Sequence, residues 1–195
     1  MDDETQRCFT VLLVDDDIDV LASNARYMRL SGLDVQIANN ADVALHRLGQ
    51  LPVDAIVTDL RMPDKDGLEF ASNARMLCPM IPIVFFSGFA TVPDVVAAMR
   101  LGAVDFLEKP VDPATLLATV EGIRDRYESA INTAQLSFDS GDNSVPFRYR
   151  VLAFEKLLIE QSLIEHDGDI ASVLAALKIN RRTLNDKMRR LDIKR

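Results

Sequence analysis

The 195-residue sequence predicts an α/β fold, a five-stranded doubly wound parallel sheet, followed by a small all-α domain. Three observations carry that prediction. Short runs rich in Val, Ile and Phe alternate five times with amphipathic stretches, the pattern of a parallel sheet covered by helices on both faces. A polar, turn-rich segment then breaks both periodicities. Beyond it the chain reads as helical and ends strongly basic.

The strands are expected at Phe9–Val14, Val35–Ala38, Val53–Thr58, Ile83–Phe86 and Val104–Leu107. Between them lie helices at approximately Ile18–Leu30, Ala41–Leu48, Leu68–Leu77 and Pro93–Leu101, with a fifth after Pro113. Gly32 can end the first helix, and Asp112-Pro113 supplies a cap and a first-turn proline for the fifth. The stretch Ser137–Pro146 reads Ser-Phe-Asp-Ser-Gly-Asp-Asn-Ser-Val-Pro and sustains neither period. The expected division is therefore a first domain over 1–130, a linker over 131–146 and a helical domain over 147–195.

In that last domain Phe147–His166 is helical and apolar on two sides, with Val151, Phe154 and Leu158 on one stripe and Leu152, Ile159 and Leu163 on another. Such a helix needs two packing partners. Asp167-Gly168-Asp169 breaks it, Ile170–Leu177 forms a short helix, and Asn180 can cap a last one over Arg181–Leu191. On that last helix Leu184, Met188 and Leu191 recur at core spacing.

Composition bounds the function. Apolar residues make up 48% and charged residues 27%, ordinary for a chain that buries a core. No apolar run approaches the roughly 18 residues of a membrane span, so a cytoplasmic protein without a membrane partner is expected. Cys8 and Cys78 show no metal or disulfide spacing and are expected to be reduced thiols. The net charge of −8 is uneven: residues 1–130 hold 21 acidic and 11 basic residues, residues 131–195 hold 9 and 11. Residues 178–195 alone carry eight Lys or Arg against Asp186 and Asp192, an electrostatic footprint suited to phosphate backbones.

In an open parallel sheet, ligands bind beyond the carboxyl ends of the strands. There the sequence places Asp15, Asp16 and Asp17 after the first strand, Asp59 after the third, Ser87 after the fourth and Lys109 after the fifth. Carboxylates and a backbone carbonyl are hard oxygen ligands suited to Mg²⁺, and a lysine with a hydroxyl can hold phosphoryl oxygens.

The motifs Val14-Asp15-Asp16-Asp17, Thr58-Asp59-Leu60-Arg61-Met62-Pro63-Asp64-Lys65-Asp66-Gly67, Phe86-Ser87-Gly88 and Phe106-Leu107-Glu108-Lys109-Pro110 resemble the receiver domains of bacterial two-component systems over about the first 125 residues. The resemblance implies a flavodoxin-like fold and makes Asp59 the acceptor of a phosphoryl group from a sensor histidine kinase. It makes Asp16 a direct Mg²⁺ ligand, Asp15 a ligand through water, and the Arg61 carbonyl the last protein ligand. Ser87 and Lys109 would contact the phosphoryl group, and Phe106 would be the switch aromatic. Asp17 keeps the simpler role of a helix cap. A haloacid-dehalogenase-type phosphatase would need a second acid two residues after the nucleophile, where this chain has Arg61. No nucleotide-binding loop or hydrolase motif occurs, and His46 and His166 are solitary, so no enzyme activity is expected.

The segment from Glu155 to Leu191, with its Leu177-Lys178-Ile179-Asn180-Arg181-Arg182-Thr183-Leu184 core, resembles the Fis-type helix-turn-helix. That module ends activators of the NtrC and DctD type and follows a receiver in RegA/PrrA/ActR regulators. The resemblance implies that the helix capped by Asn180 enters the major groove, with Arg181, Arg182, Thr183 and Asn185 near base edges. Lys187, Arg189 and Arg190 are placed for phosphates. Lys178 stands where the pattern has a turn glycine, and a non-glycine held at positive φ costs of order 1 kcal/mol. Either the turn shifts or the packing adjusts.

The NtrC-type ATPase domain has no room between the two domains, so a direct DNA-binding regulator controlled by phosphorylation is expected. The competing reading is a signalling adaptor, or a competitor of a longer paralogue, whose tail dimerises without specific DNA binding. A 49-residue helical unit has little core of its own, so a homodimer on a two-fold symmetric DNA site is expected.

Overall fold

The computed structural model describes residues 9–63, 65–137, 147–191 and 193. The elements run β1 (Thr10–Val14), α1 (Ile18–Leu30), β2 (Asp34–Ala38), α2 (Ala41–Gln50), β3 (Ala55–Asp59), α3 (Gly67–Leu77), β4 (Ile83–Ser87), α4 (Val92–Arg100), β5 (Asp105–Glu108) and α5 (Pro113–Ser137). They continue with α6 (Phe147–Glu165), α7 (Ile170–Leu177) and α8 (Arg181–Arg190). The chain divides into two compact units, with the boundary between Ile123 and Arg124.

In the first unit the five strands pair in parallel in the order β2-β1-β3-β4-β5. Alternate side chains go to opposite faces, and both faces are covered. Leu12, Val14, Ile56, Ile83 and Phe85 share a core with Ala44, Phe70 and Ala98 from α2, α3 and α4. Val11, Leu13, Val57, Val84 and Phe86 share another with Leu21, Met28, Leu116 and Val120 from α1 and α5. Double-sided burial is why these strands read as unbroken apolar runs. Register then aligns their ends, with Val14 opposite Thr58, Asp59 opposite Phe86 and Ser87 opposite Glu108. The polar residues that follow the strands therefore emerge on one edge, where the order reverses between β1 and β3.

Helix signals act as their chemistry predicts. Asp17 caps α1 by accepting from the amides of Asp19 and Val20. Gly32, at φ 86°, ends the same helix: its amide donates to Arg29, and the Leu33 amide donates to Met28. Leu33 and Met28 are buried in one core, completing the hydrophobic contact of this C-terminal motif. Asp112 accepts from the Ala114 amide at the start of α5.

The second unit has its own core. Tyr127 of α5, Leu152, Ala153, Ile159 and Leu163 of α6, Val173 of α7, and Leu184 and Met188 of α8 are buried together with Leu191 and Ile193. The three residues expected at core spacing on the last helix are all inside. On α6 the stripe of Leu152, Ile159 and Leu163 is buried, while Phe154 and Leu158 of the other stripe are exposed beside Leu157 and Ile164. Lys178 sits at φ 53°, ψ 39° between α7 and α8. The turn has not shifted, and a lysine occupies the left-handed position. Of the expected linker 131–146, residues up to Ser137 continue α5, and 138–146 lie outside the described residues. Cys78 is half-buried and Cys8 lies outside the described residues. No helix among the described residues is long and apolar enough to cross a membrane.

Candidate functional site

The edge of the sheet gathers four of the expected residues from three strand ends. Lys109, just after β5, places its Nζ 2.7 Å from Asp15 Oδ2 and 2.5 Å from Asp59 Oδ2. One ammonium thus ties the carboxylates that follow β1 and end β3. Asp15, Asp16 and Asp59 offer carboxylate oxygens that all lie within 4.8 Å of one another. Asp15 and Asp59 are buried, and Asp16 is exposed at the mouth. The remaining oxygens of the buried pair are also engaged: Asp15 Oδ1 accepts from the Asp17 amide at 2.9 Å, and Asp59 Oδ1 from the Arg61 amide at 3.1 Å.

Burial pushes the Asp15 carboxyl above its ordinary value of 3.8, with the nearby Asp59 charge adding to it, against the lowering by Lys109 and the Asp17 amide. For Lys109, burial pulls the ammonium down, but the hydrogen bonds to Asp15 and Asp59 outweigh it and hold it above 10.5. Lysine therefore stays charged in a partly dry site. Its Nζ also lies 4.4 Å from the centroid of the Phe86 ring, a cation–π contact.

Ser87 ends β4 and is buried, and its carbonyl accepts from the Lys109 amide at 2.9 Å. Phe106 is half-buried on the α2–α4 face of the sheet and stacks on Phe85, with centroids 6.3 Å apart. The aromatic ring at the lysine is thus Phe86, a residue to which sequence reasoning gave no role.

Three further supports hold the site in ways that sequence reasoning did not assign. Gly67 opens α3 against the end of β3: a Cβ there would lie 2.1 Å from the Asp59 carbonyl oxygen and 2.9 Å from Leu60 Cα. Its amide donates to the Leu60 carbonyl at 2.8 Å, closing the loop that carries Arg61. The Arg61 guanidinium reaches Asp94 Oδ2 at 2.8 Å. Asp94 is itself in the capping box of α4 with Thr91. Gly67 closes the receiver-like motif, but its packing against β3 is a feature of the fold; the last two depend on side chains that the fold brings together.

Comparison with known proteins decides the family. The sequence profile described as "Response regulator receiver domain" matches residues 11–121. The chain is a response regulator. It is similar to the Transcriptional regulatory protein PrrA of Mycobacterium tuberculosis, 34% identical over 168 residues that cover 86% of this chain and 71% of that one. It is also similar to the Response regulator protein TmoT of Ectopseudomonas mendocina, 31% identical over 184 residues, 92% of this chain and 82% of the relative. Among solved structures, a response regulator receiver protein from Pseudomonas putida matches with TM-score 0.58 and 32% identity, over 60% of this chain and 99% of that one. A response regulator from Burkholderia pseudomallei, described with a phosphorylated aspartic acid, calcium ion and citrate, matches with TM-score 0.54 over 91% of this chain and 97% of that one. At 24% identity it speaks to the fold alone. Membership makes this a signalling protein rather than an enzyme, one that takes its phosphoryl group from a histidine kinase. The Asp15, Asp16 and Asp59 cluster is the acidic set typical of a receiver metal site.

The basic end of the response regulator forms α8. Asn180 caps it, accepting from the Thr183 amide at 2.8 Å. Arg181, Arg182, Asn185 and Arg189 are exposed, and Thr183 is half-buried. Two of the expected contacts already have partners. Arg182 Nε lies 4.0 Å from Asp186 one turn on, and Lys187 Nζ is 2.8 Å from Glu155 Oε1 of α6. The Arg190 side chain lies outside the described residues.

Proposed function

We propose that this response regulator accepts a phosphoryl group on Asp59 from a sensor histidine kinase in the cytoplasm and regulates transcription through a dimeric DNA-binding module. The observation that carries the first half is Lys109 bridging Asp15 and Asp59, with Asp16 beside them. Asp59 would form a P–O bond as the P–N bond of a phosphohistidine breaks, with the electron pair returning to the imidazole nitrogen. The lysine ammonium is placed to meet the added phosphate charge, and the Ser87 hydroxyl is the second contact. Phe106 is the aromatic that responds to that contact. Three carboxylates within 4.8 Å of one another fit a divalent cation. Asp15, Asp16, Asp59 and the Arg61 carbonyl would hold Mg²⁺, which supplies neutralisation of charge on the transferring group.

The receiver (1–130) would work through the linker (131–146) on the helical module (147–195), of the Fis type. Arg181, Arg182, Thr183 and Asn185 read bases from the start of α8, whose cap is Asn180. Lys187, Arg189 and Arg190 contact phosphates. The three-residue turn at Lys178–Asn180, the caps at both helices and the exposed arginines support this reading. The exposed α6 stripe of Phe154, Leu157, Leu158 and Ile164 supports a two-fold dimer, which presents two recognition helices to a symmetric site.

The test has two arms. Acetyl phosphate should label the full chain at one acid-labile site in the presence of Mg²⁺, and Asp59→Asn should abolish the label; stoichiometric label in that variant sinks the assignment. Footprinting of phosphorylated protein should give paired protection with two-fold symmetry. Phosphorylation without salt-sensitive DNA binding would favour the adaptor reading.

A further inference from the structure

The Lys187–Glu155 pair sits on the side of α8 that faces α6 and ties the proposed recognition helix to the helix proposed to dimerise. We infer that Glu155 is an internal competitor of the DNA phosphates for Lys187, and so sets how strongly the module binds DNA of any sequence. The inference rests on the DNA-binding reading of the module. A carboxylate and a phosphate diester offer an ammonium the same kind of partner, a charged oxygen accepting a short hydrogen bond.

Distance and exposure together determine how that competition works. Nζ to Oε1 is 2.8 Å, and the two side chains are 33% and 34% exposed. A pair with that much exposure is weak, so it does not lock Lys187 in place. It changes the exchange instead. Lys187 reaches a phosphate by leaving Glu155 or by sharing its three N–H donors between the two, and in either case the carboxylate then stands close to the polyanion. Release of a cation from the DNA is offset by that negative charge. Arg189, exposed two residues on, has no carboxylate to leave among the described residues. Base contacts from Arg181, Arg182 and Asn185 do not pass through Glu155. Weak sequence-independent affinity per module leaves occupancy to depend on the pairing of two modules, which is where phosphorylation would act.

The test measures binding of the full chain to random-sequence duplex DNA between 50 and 200 mM NaCl. Glu155→Gln should bind more tightly at 50 mM and show a log–log salt slope steeper by about 0.9 per bound protomer. That amounts to a roughly 3.5-fold larger loss of affinity per protomer across the range. Glu155→Gln with Lys187→Gln should return the wild-type slope, which a merely structural role for Glu155 would not predict. Arg189→Gln, as a control, should make the slope shallower by about 0.9 per protomer. Equal slopes for wild type and Glu155→Gln, with Arg189→Gln shallower, would overturn the role of Glu155 and leave DNA binding intact. Weaker binding by Glu155→Gln would overturn it too, making the residue a brace for α8. No affinity of wild type at 50 mM would refute the DNA-binding reading itself.

Discussion

The two units each contain a lysine paired to acidic residues from another element, and the pairs differ in depth. Lys109 holds Asp15 and Asp59 at 2.7 and 2.5 Å with its side chain 20% exposed and the carboxylates almost wholly buried. Lys187 holds Glu155 at 2.8 Å with a third of each side chain in solvent. The first pair is part of a prearranged charge pocket whose members cannot leave without exposing like charges to one another. The second, weakly held with a third of each side chain in solvent, is exchangeable. A receiver site has to be built before the phosphoryl group arrives, whereas the face proposed to meet nucleic acid could be assembled on contact.

The sharpest way to break that contrast is to delete each ammonium in metal-free buffer. Lys109→Met should destabilise the receiver by about 3 kcal/mol or more, because it strands two buried carboxylates together. Lys187→Met should cost the helical unit less than about 1 kcal/mol. Similar losses in urea unfolding of the two variants would erase the distinction between a fixed and an exchangeable pair. Next in size, Gly67→Ala should cost about 2–3 kcal/mol and slow labelling of Asp59, since its Cβ would overlap the Asp59 carbonyl oxygen and the overlap must be relieved by backbone shifts. An unchanged urea midpoint would mean that α3 can recede freely.

Acidity offers a third probe. Asp15 has a folded pKa above 3.8, so just above that pH the folded receiver keeps a proton that the unfolded chain has lost. The stability contributed by this carboxyl is present at low pH and falls as pH rises through that window. Metal-free wild type should therefore lose stability over that rise relative to Asp15→Asn, and parallel urea midpoints for the two would reject the assignment. Lys109 runs at the other end: its contribution is complete below 10.5 and is lost as pH rises through its higher folded value. The smallest effect belongs to the helical unit. Lys178→Gly should stabilise it by up to about 1 kcal/mol by removing a side chain from a left-handed position, read as a rise in thermal midpoint.

Much of the receiver was legible because its signals are local. A strand buried on both faces announces itself as an apolar run, and the polar residue that ends it must emerge at the edge of the sheet; hence Asp15, Asp59, Ser87 and Lys109 could be placed from spacing alone. Caps are local too, and Asp17, Gly32, Asp112 and Asn180 do what their positions predict. What stayed hidden are partnerships between distant elements: Gly67 under Asp59, Arg61 on Asp94, Phe86 beneath Lys109 and Glu155 on Lys187. None has a periodicity. The end of α5 was hidden for another reason, since polar residues before Ser137 are compatible with both a solvated helix and a loop.

The lysine bridge has a consequence for the birth of the protein. Lys109 meets a carboxylate 94 residues earlier and another 50 residues earlier. On a ribosome that delivers the chain from its N-terminus, Asp15 and Asp59 are both made well before the charge that reconciles them. A nascent receiver lacking β5 holds two facing acids, and contacts this distant in sequence are the slow ones to form. Completion of the pocket is thus tied to completion of the domain, and a chain cut short before Lys109 carries its fault at its most charged point.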